Sequence, residues 1–324
     1  MARPRNLAFQ ASILQNHCVL ASQSPPAPPA PPAPPAQKQT WTILEVLRWT
    51  IGRFERHGMT SARLDAELLA TQAFGRTRVE LYTHFDQPLG DPELAAYRGL
   101  VQRRMAGESV AYILGRKEFW SLDLEVDARV LVPRPETETL VEQALELLKA
   151  LPVSDRALRV ADIGTGSGAL ALALKKERPG DEVLAVDVSP DALEVARGNA
   201  NRLGLDVTFM QGDLVAPLAG LGPFDLIASN PPYIPSQDIA GLSPEVRREP
   251  RLALDGGEDG LVLVRRLASE ARKVLTPGAA LAMEIGAGQA AAAMELLRGE
   301  GYAGIGARRD LAGIERVVYG RLGE

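Results

Sequence analysis

The chain has 324 residues, 46% hydrophobic and 24% charged, with a formal net charge of −5. That length can bury a full core and suggests more than one domain, while 41 acidic against 36 basic residues argue against a phosphate-tracking nucleic-acid binder. One cysteine, Cys18, excludes an internal disulfide or a Cys cage, and three scattered histidines (His17, His57, His84) do not suggest a metal centre.

No apolar run is long enough to span a bilayer, so a cytoplasmic protein is expected. Residues 1–39 differ in kind from the rest. "SPPAPPAPPAPPAQ" favours polyproline II and cannot build a core, so a disordered extension is expected there. Arg3 and Arg5 without acidic neighbours also fit a targeting segment, although a dispensable extension or an early start codon is the plainer reading.

From residue 40 to about 115 the pattern is helical. Ile43, Leu47, Ile51 and Phe54 mark one apolar face. Ser61 is placed to cap "ARLDAELLATQAF", which Gly75 closes. Asp91-Pro92 opens another helix with Leu94, Tyr97, Val101 and Met105 on a stripe. The balanced charges of this bundle read as an ordinary solvated face. "EFWSLDLEVDARVLV" then alternates around a turn, as a hairpin linker over 116–133 would.

From residue 134 onward a helix enters at Pro135, and strands and helices then alternate: "RVADI", "VLAVDV", "VTFMQ", "FDLIASN" and "ALAMEIG". This predicts an α/β fold, a parallel sheet covered by helices on both faces, with its ligand crevice at the strands' carboxyl ends. Just after the first of these strands come Gly164, Thr165, Gly166, Ser167 and Gly168, a loop that lets backbone approach a ligand at a helix start. The spacing Gly164-x-Gly166-x-x-Ala169 also satisfies a dinucleotide fingerprint. Asp187, ending the next strand, would take ribose hydroxyls in either case. Asp213 could accept from an adenine amino group with Leu214 packed on the ring, though a turn or cap Asp is an equal reading.

"NPPY", residues 230–233, ends an apolar strand in a way no sheet can continue, because two prolines lack donors and have fixed φ. An amide NH₂ is a poor nucleophile, its lone pair being delocalised. Two acceptors aimed at its hydrogens, the Asn230 side-chain oxygen and the Pro231 carbonyl, would draw that lone pair out of conjugation and hold the developing positive charge. Pro232 stiffens the loop and Tyr233 offers a flat face. On its own the segment also fits an Asx-Pro turn; behind the glycine loop, Asp187 and Asp213 it reads as a site.

"NPPY" behind "DIGTGSG" resembles the class I S-adenosylmethionine-dependent methyltransferases acting on planar NH₂ groups. With "GESVAYILGRKEFW", "VLVPRPETETLVE", "EPRLALDGGEDGL", "MEIGAGQ" and "RDLAGIERVV" the chain resembles, over roughly 41–322, the release-factor glutamine methyltransferase (HemK/PrmC) family. The resemblance implies a Rossmann-like, mostly parallel seven-stranded sheet, a helical domain that docks peptide chain release factors, and S-adenosyl-L-methionine as cofactor. The target would be the Gln of the factors' Gly-Gly-Gln loop. Gly164 to Gly168 and Asp187 match cofactor positions, Leu214 the adenine-packing position, and Asn230 to Tyr233 the substrate clamp, Asn230 also bordering the cofactor. Arg134 and Glu136 border the same pocket, with their roles open. Three positions depart: Ser109 replaces a frequent Pro, Arg248 a common aromatic, and Leu214 a frequent aromatic ring. A monomer without metal or direct nucleic-acid contact is expected. A ribosomal-protein glutamine methyltransferase would share the chemistry, whereas a DNA adenine enzyme would need a basic groove for its flipped base. A non-catalytic adenosine-binding module would leave the amide clamp unused, and a nicotinamide dehydrogenase would leave "NPPY" unexplained.

Overall fold

A computed structural model describes residues 40–152 and 156–323, and among the described residues five helices come first. The expectations for residues 1–39 lie outside the described residues. Helix α1 (Ile43–Arg56) starts at a capping box in which the Thr42 hydroxyl accepts from the Glu45 N–H and the Glu45 carboxylate accepts from the Thr42 N–H. It buries Ile43, Val46, Leu47 and Phe54, while Ile51 is only half-buried. Helix α2 (Ala62–Phe74) ends at Gly75 in the left-handed conformation, φ 62°. Ser61 does not cap it. Its hydroxyl donates to the Asp65 carboxylate at 2.8 Å instead of accepting from the backbone. After α3 (Arg78–Thr83) come α4 (Asp91–Met105) and α5 (Val110–Leu114), with Tyr97 and Val101 buried on the expected stripe of α4.

The solvated-face reading of the bundle's charges fails at three residues. Asp65, Glu67 and Arg104 are buried. Glu67 accepts from Arg63, Arg78 and the Tyr82 hydroxyl, and Arg104 bonds Asp65 at 2.8 Å. Each buried charge is thus met by charge-assisted partners, the condition under which burial is tolerated.

Strands β1 (Arg116–Phe119) and β2 (Leu122–Glu125) form the expected hairpin, but it is shorter than the alternation in the sequence and leaves the sheet pattern after Glu125. Its two-residue turn places Trp120 and Ser121 at φ 50° and 53°, where glycine or asparagine is usual. The Ser121 N–H donates to Glu118, the Trp120 N–H to Glu138 and the Trp120 indole to Glu177, which hold the turn in place. Phe119 and Leu124 enter the same core as α6 (Glu138–Lys149) and α7 (Ala169–Glu177), each contributing about 1.5–3 kcal/mol by burial.

The main sheet has seven strands: β3 (Arg159–Ile163), β4 (Glu182–Asp187), β5 (Thr208–Gln211), β6 (Phe224–Ser229), β7 (Leu275–Glu284), β8 (Tyr302–Arg309) and β9 (Glu315–Leu322). Their order is β5-β4-β3-β6-β7-β9-β8, parallel from β5 through β7, with β9 antiparallel between β7 and β8. Near-continuous apolar runs such as β6, buried at every position, suit strands covered on both faces. One face packs on α6, α7 and the hairpin, the other on α9 (Val262–Ala271) and α10 (Ala290–Gly299). Helix α8 (Pro190–Leu203) follows β4. Strand order reverses between β3 and β6, the place where sheets of this kind hold their ligand crevice.

Candidate active site

The glycine loop leaves β3 at that crevice. Gly164, Gly166 and Gly168 all take left-handed backbone, φ 75°, 55° and 84°. A Cβ at Gly164 or Gly166 would meet nothing within 4 Å, whereas at Gly168 it would press Leu172 at 3.1 Å and Ala196 at 3.3 Å. The first two glycines therefore leave room for a ligand, and the third lets α7 and α8 approach. Thr165 is buried with all its polar groups paired: N–H to the Val186 carbonyl, carbonyl to the Gly168 N–H, hydroxyl to Asp162 at 2.6 Å. It shapes the loop rather than lining it. Ser167 is buried too, its carbonyl accepting from Asn199.

Asp187 is half-buried and integral to the loop, for its carboxylate accepts the Gly166 N–H at 2.8 Å and the Ser189 N–H at 2.9 Å. Burial raises its pKa, and those backbone donors oppose the rise. Beneath the loop, burial pushes the Asp162 carboxyl up to about 7 against hydrogen bonds from Thr165 and the Ala171 N–H.

The segment after β5 is arranged less simply than the sequence suggests. Asp213 is exposed and its carboxylate is engaged by Arg266 of α9 at 2.8 Å, rather than waiting unpaired for an adenine amine. An exposed pair of this kind is weak enough to exchange for a ligand. Leu214 sits at φ 48°, a conformation costing roughly 1–2 kcal/mol for a side chain with a Cβ. It packs partly against the core under β5.

At the end of β6 the Ser229 hydroxyl donates to the Ile163 carbonyl at 2.7 Å, tying the two strand ends together. Asn230 Nδ2 then donates to Thr137 Oγ1 at 3.1 Å, which turns the acceptor end of the carboxamide, Oδ1, the other way. Pro231 is buried, Pro232 and Tyr233 half-buried. The Tyr233 hydroxyl donates to Glu284 Oε1 at 3.3 Å, and its carbonyl accepts from Gln289 Nε2 at 3.0 Å. A second loop presses on residues 232–233. A Cβ at Gly256 would lie 2.8 Å from the Pro232 carbonyl, and one at Gly260 would run into the Tyr233 carbonyl.

Arg134 acquires a partner in Glu249, 2.7 Å away and buried, whose other oxygen accepts the Val132 N–H at 3.4 Å. Burial raises the Glu249 pKa, with Arg134 opposing it. Glu136 stays exposed. Four residues of this arrangement escape a reading of single motifs: Thr137, Glu249, Glu284 and Gln289. The available signal was a polar residue closing an apolar strand, as Glu284 does in "ALAMEIG".

The PrmC N-terminal domain model matches residues 45–115 and the Methyltransferase small domain model residues 141–248. A release factor glutamine methyltransferase from Geobacter sulfurreducens is 46% identical over 286 residues, 88% of this chain and 98% of the relative. One from Deinococcus radiodurans is 43% identical over 277 residues, 86% of this chain and 97% of the relative. Among solved structures, the hMettl16 catalytic domain in complex with MAT2A 3′UTR hairpin 6 matches at a TM-score of 0.54 and 16% identity, covering 68% of this chain and 84% of that one; it supports the fold alone. With both halves of the chain matched by family models and relatives 43–46% identical over most of its length, the chain belongs to the release factor glutamine methyltransferase family.

Proposed function

We propose that this protein methylates the side-chain amide nitrogen, N5, of the glutamine in the Gly-Gly-Gln loop of peptide chain release factors, with S-adenosylmethionine as methyl donor. The observation that carries the reading is the bond from Asn230 Nδ2 to Thr137, which commits the other end of that carboxamide to accepting. The residues present suit the donor: open space at Gly164 and Gly166, and a half-buried carboxylate at Asp187 beside them. Bound there, S-adenosylmethionine supplies an electrophilic methyl group and leaves as a neutral thioether.

The protein's share of the reaction is orientation and charge. Asn230 Oδ1 and the Pro231 carbonyl accept the two amide hydrogens, so the nitrogen lone pair leaves conjugation and the positive charge forming on nitrogen meets fixed dipoles. Proline directs the second carbonyl before substrate arrives. Tyr233 offers its ring to the flat amide. The cationic product is acidic enough to lose its proton without a dedicated strong base. The helical segment, residues 40–115, serves as docking domain, 116–133 as linker and 134–324 as methyltransferase domain. The protein works as a monomer without contacting nucleic acid, a reading supported by the net charge of −5.

Mass spectrometry of a release factor incubated with the protein and S-adenosylmethionine should show one added methyl on the loop glutamine. A methyl appearing only on a ribosomal protein, or on neither, would overturn this reading. For Asp187→Ala, calorimetry should show S-adenosylmethionine binding weakened by about 10–10², the worth of a hydrogen bond to a charged group.

A further inference from the structure

We propose that Glu284 is a positioning residue for the amide clamp, its buried carboxylate orienting the hydroxyls of Thr137 and Tyr233 and so deciding which end of the Asn230 carboxamide meets the substrate. The inference rests on the clamp reading above and adds the part that aligns it. Glu284 closes β7 and is 1% exposed. Tyr233, from the loop after β6, donates to its Oε1 at 3.3 Å. Thr137, from the turn before α6, favours the charged form of the Glu284 carboxyl, and Glu284 Oε2 is buried with no hydrogen-bond partner among the described residues. Thr137 in turn accepts from Asn230 Nδ2 at 3.1 Å.

The logic is one of donors and acceptors. A hydroxyl has one proton and two lone pairs, a carboxylate only lone pairs. Beside a carboxylate the Thr137 proton is drawn toward Glu284, and the oxygen keeps a lone pair for Asn230. The carboxamide must then present NH₂ to Thr137 and oxygen to the substrate. A carboxamide at position 284 would remove that instruction. Its NH₂ could donate to Thr137, whose proton would swing to Asn230 Oδ1. Asn230 would then offer its own NH₂ to the substrate's NH₂, donor against donor.

The carboxylate is also an expensive choice, which argues for a task. Burial pushes Glu284 up to about 7, with Glu136 adding to the rise and Thr137, Tyr233 and Arg316 of β9 opposing it. Arg316 is itself bound to Asp310 at 3.0 Å, so it does not neutralise Glu284. Because the folded-state pKa is raised, the stabilisation belongs to the protonated form. It is complete below the ordinary carboxyl range and disappears as pH rises through about 7. At pH 8 a neutral isostere would burden the fold less.

The test uses the full chain with S-adenosylmethionine and a release factor. Glu284→Gln should keep its affinity for S-adenosylmethionine and its KM for the factor within about twofold, while kcat falls by about 10–10². In the unaltered protein kcat should rise with pH as a group near 7 loses its proton; in Glu284→Gln that rise should vanish. Thermal melts should show Glu284→Gln gaining on the unaltered protein between pH 5 and pH 8. Thr137→Val, which keeps the shape and removes the hydroxyl, should reproduce the kcat loss, and the double variant should lose no more than either alone. Unchanged kcat and an unchanged pH profile in Glu284→Gln, with Asn230→Ala inactive, would overturn the role of Glu284 and leave the clamp standing. Full activity in Asn230→Ala would instead remove the clamp reading itself.

Discussion

Asn230→Ala is expected to bind S-adenosylmethionine about as well as the unaltered protein while methyl transfer to a release factor falls by about 10²–10³, the scale for losing one preorganised transition-state acceptor. The split follows from geometry. The proposed cradle for the donor comprises the loop after β3 and Asp187, which bond to one another. Asn230 bonds across the crevice to Thr137. Truncation should therefore empty the acceptor position without disturbing the cradle. Single-turnover methylation of a release factor, beside calorimetry with S-adenosylmethionine, separates the two effects. A mutant that turns over normally would refute the mechanism.

Arg104→Ala should produce the largest loss of stability among single changes in the helical bundle, about 3–5 kcal/mol. Arg104 is buried between two acids, bonding Asp65 of α2 at 2.8 Å and Glu245 at 2.6 Å, and its guanidinium also donates to the Glu108 carbonyl at 3.2 Å. Removing it strands the Asp65 carboxylate away from water. Lysine could not replace it, because a point charge on a flexible stem cannot fork to three acceptors. Chemical denaturation gives the magnitude. Adding Asp65→Ala to Arg104→Ala should return part of the loss, since it takes away the charge left unpaired.

Much of the molecule was legible beforehand because its signals are local. The strand-to-glycine passage at 159–168, the proline pair at 231–232 and Gly75 each announce a backbone geometry that few other residues permit. What escaped depends on who meets whom across long stretches of chain. Ser61 carries the right chemistry for a cap, but an acid one turn along takes its hydroxyl. Asp65, Glu67 and Arg104 look like any surface charges until the helices bring them together. The pairing of Asp213 with Arg266 joins residues 53 positions apart. Thr137 and Glu284 reach residues 230–233 from positions far apart in the chain, and no spacing rule connects them. Leu214 differs again: its left-handed backbone is a strain that no residue preference would suggest.

Gly256 and Gly260, packed against the proposed clamp, carry an implication for enzyme engineering. The prolines alone do not immobilise residues 230–233; the backbone at Gly256 and Gly260 comes so close to the Pro232 and Tyr233 carbonyls that a Cβ there would clash. Transplanting only the four-residue motif into a different methyltransferase would leave it unsupported, and amide selectivity should not travel with it. A successful graft would have to bring the tetrapeptide and its glycine backing across together, as one paired cassette.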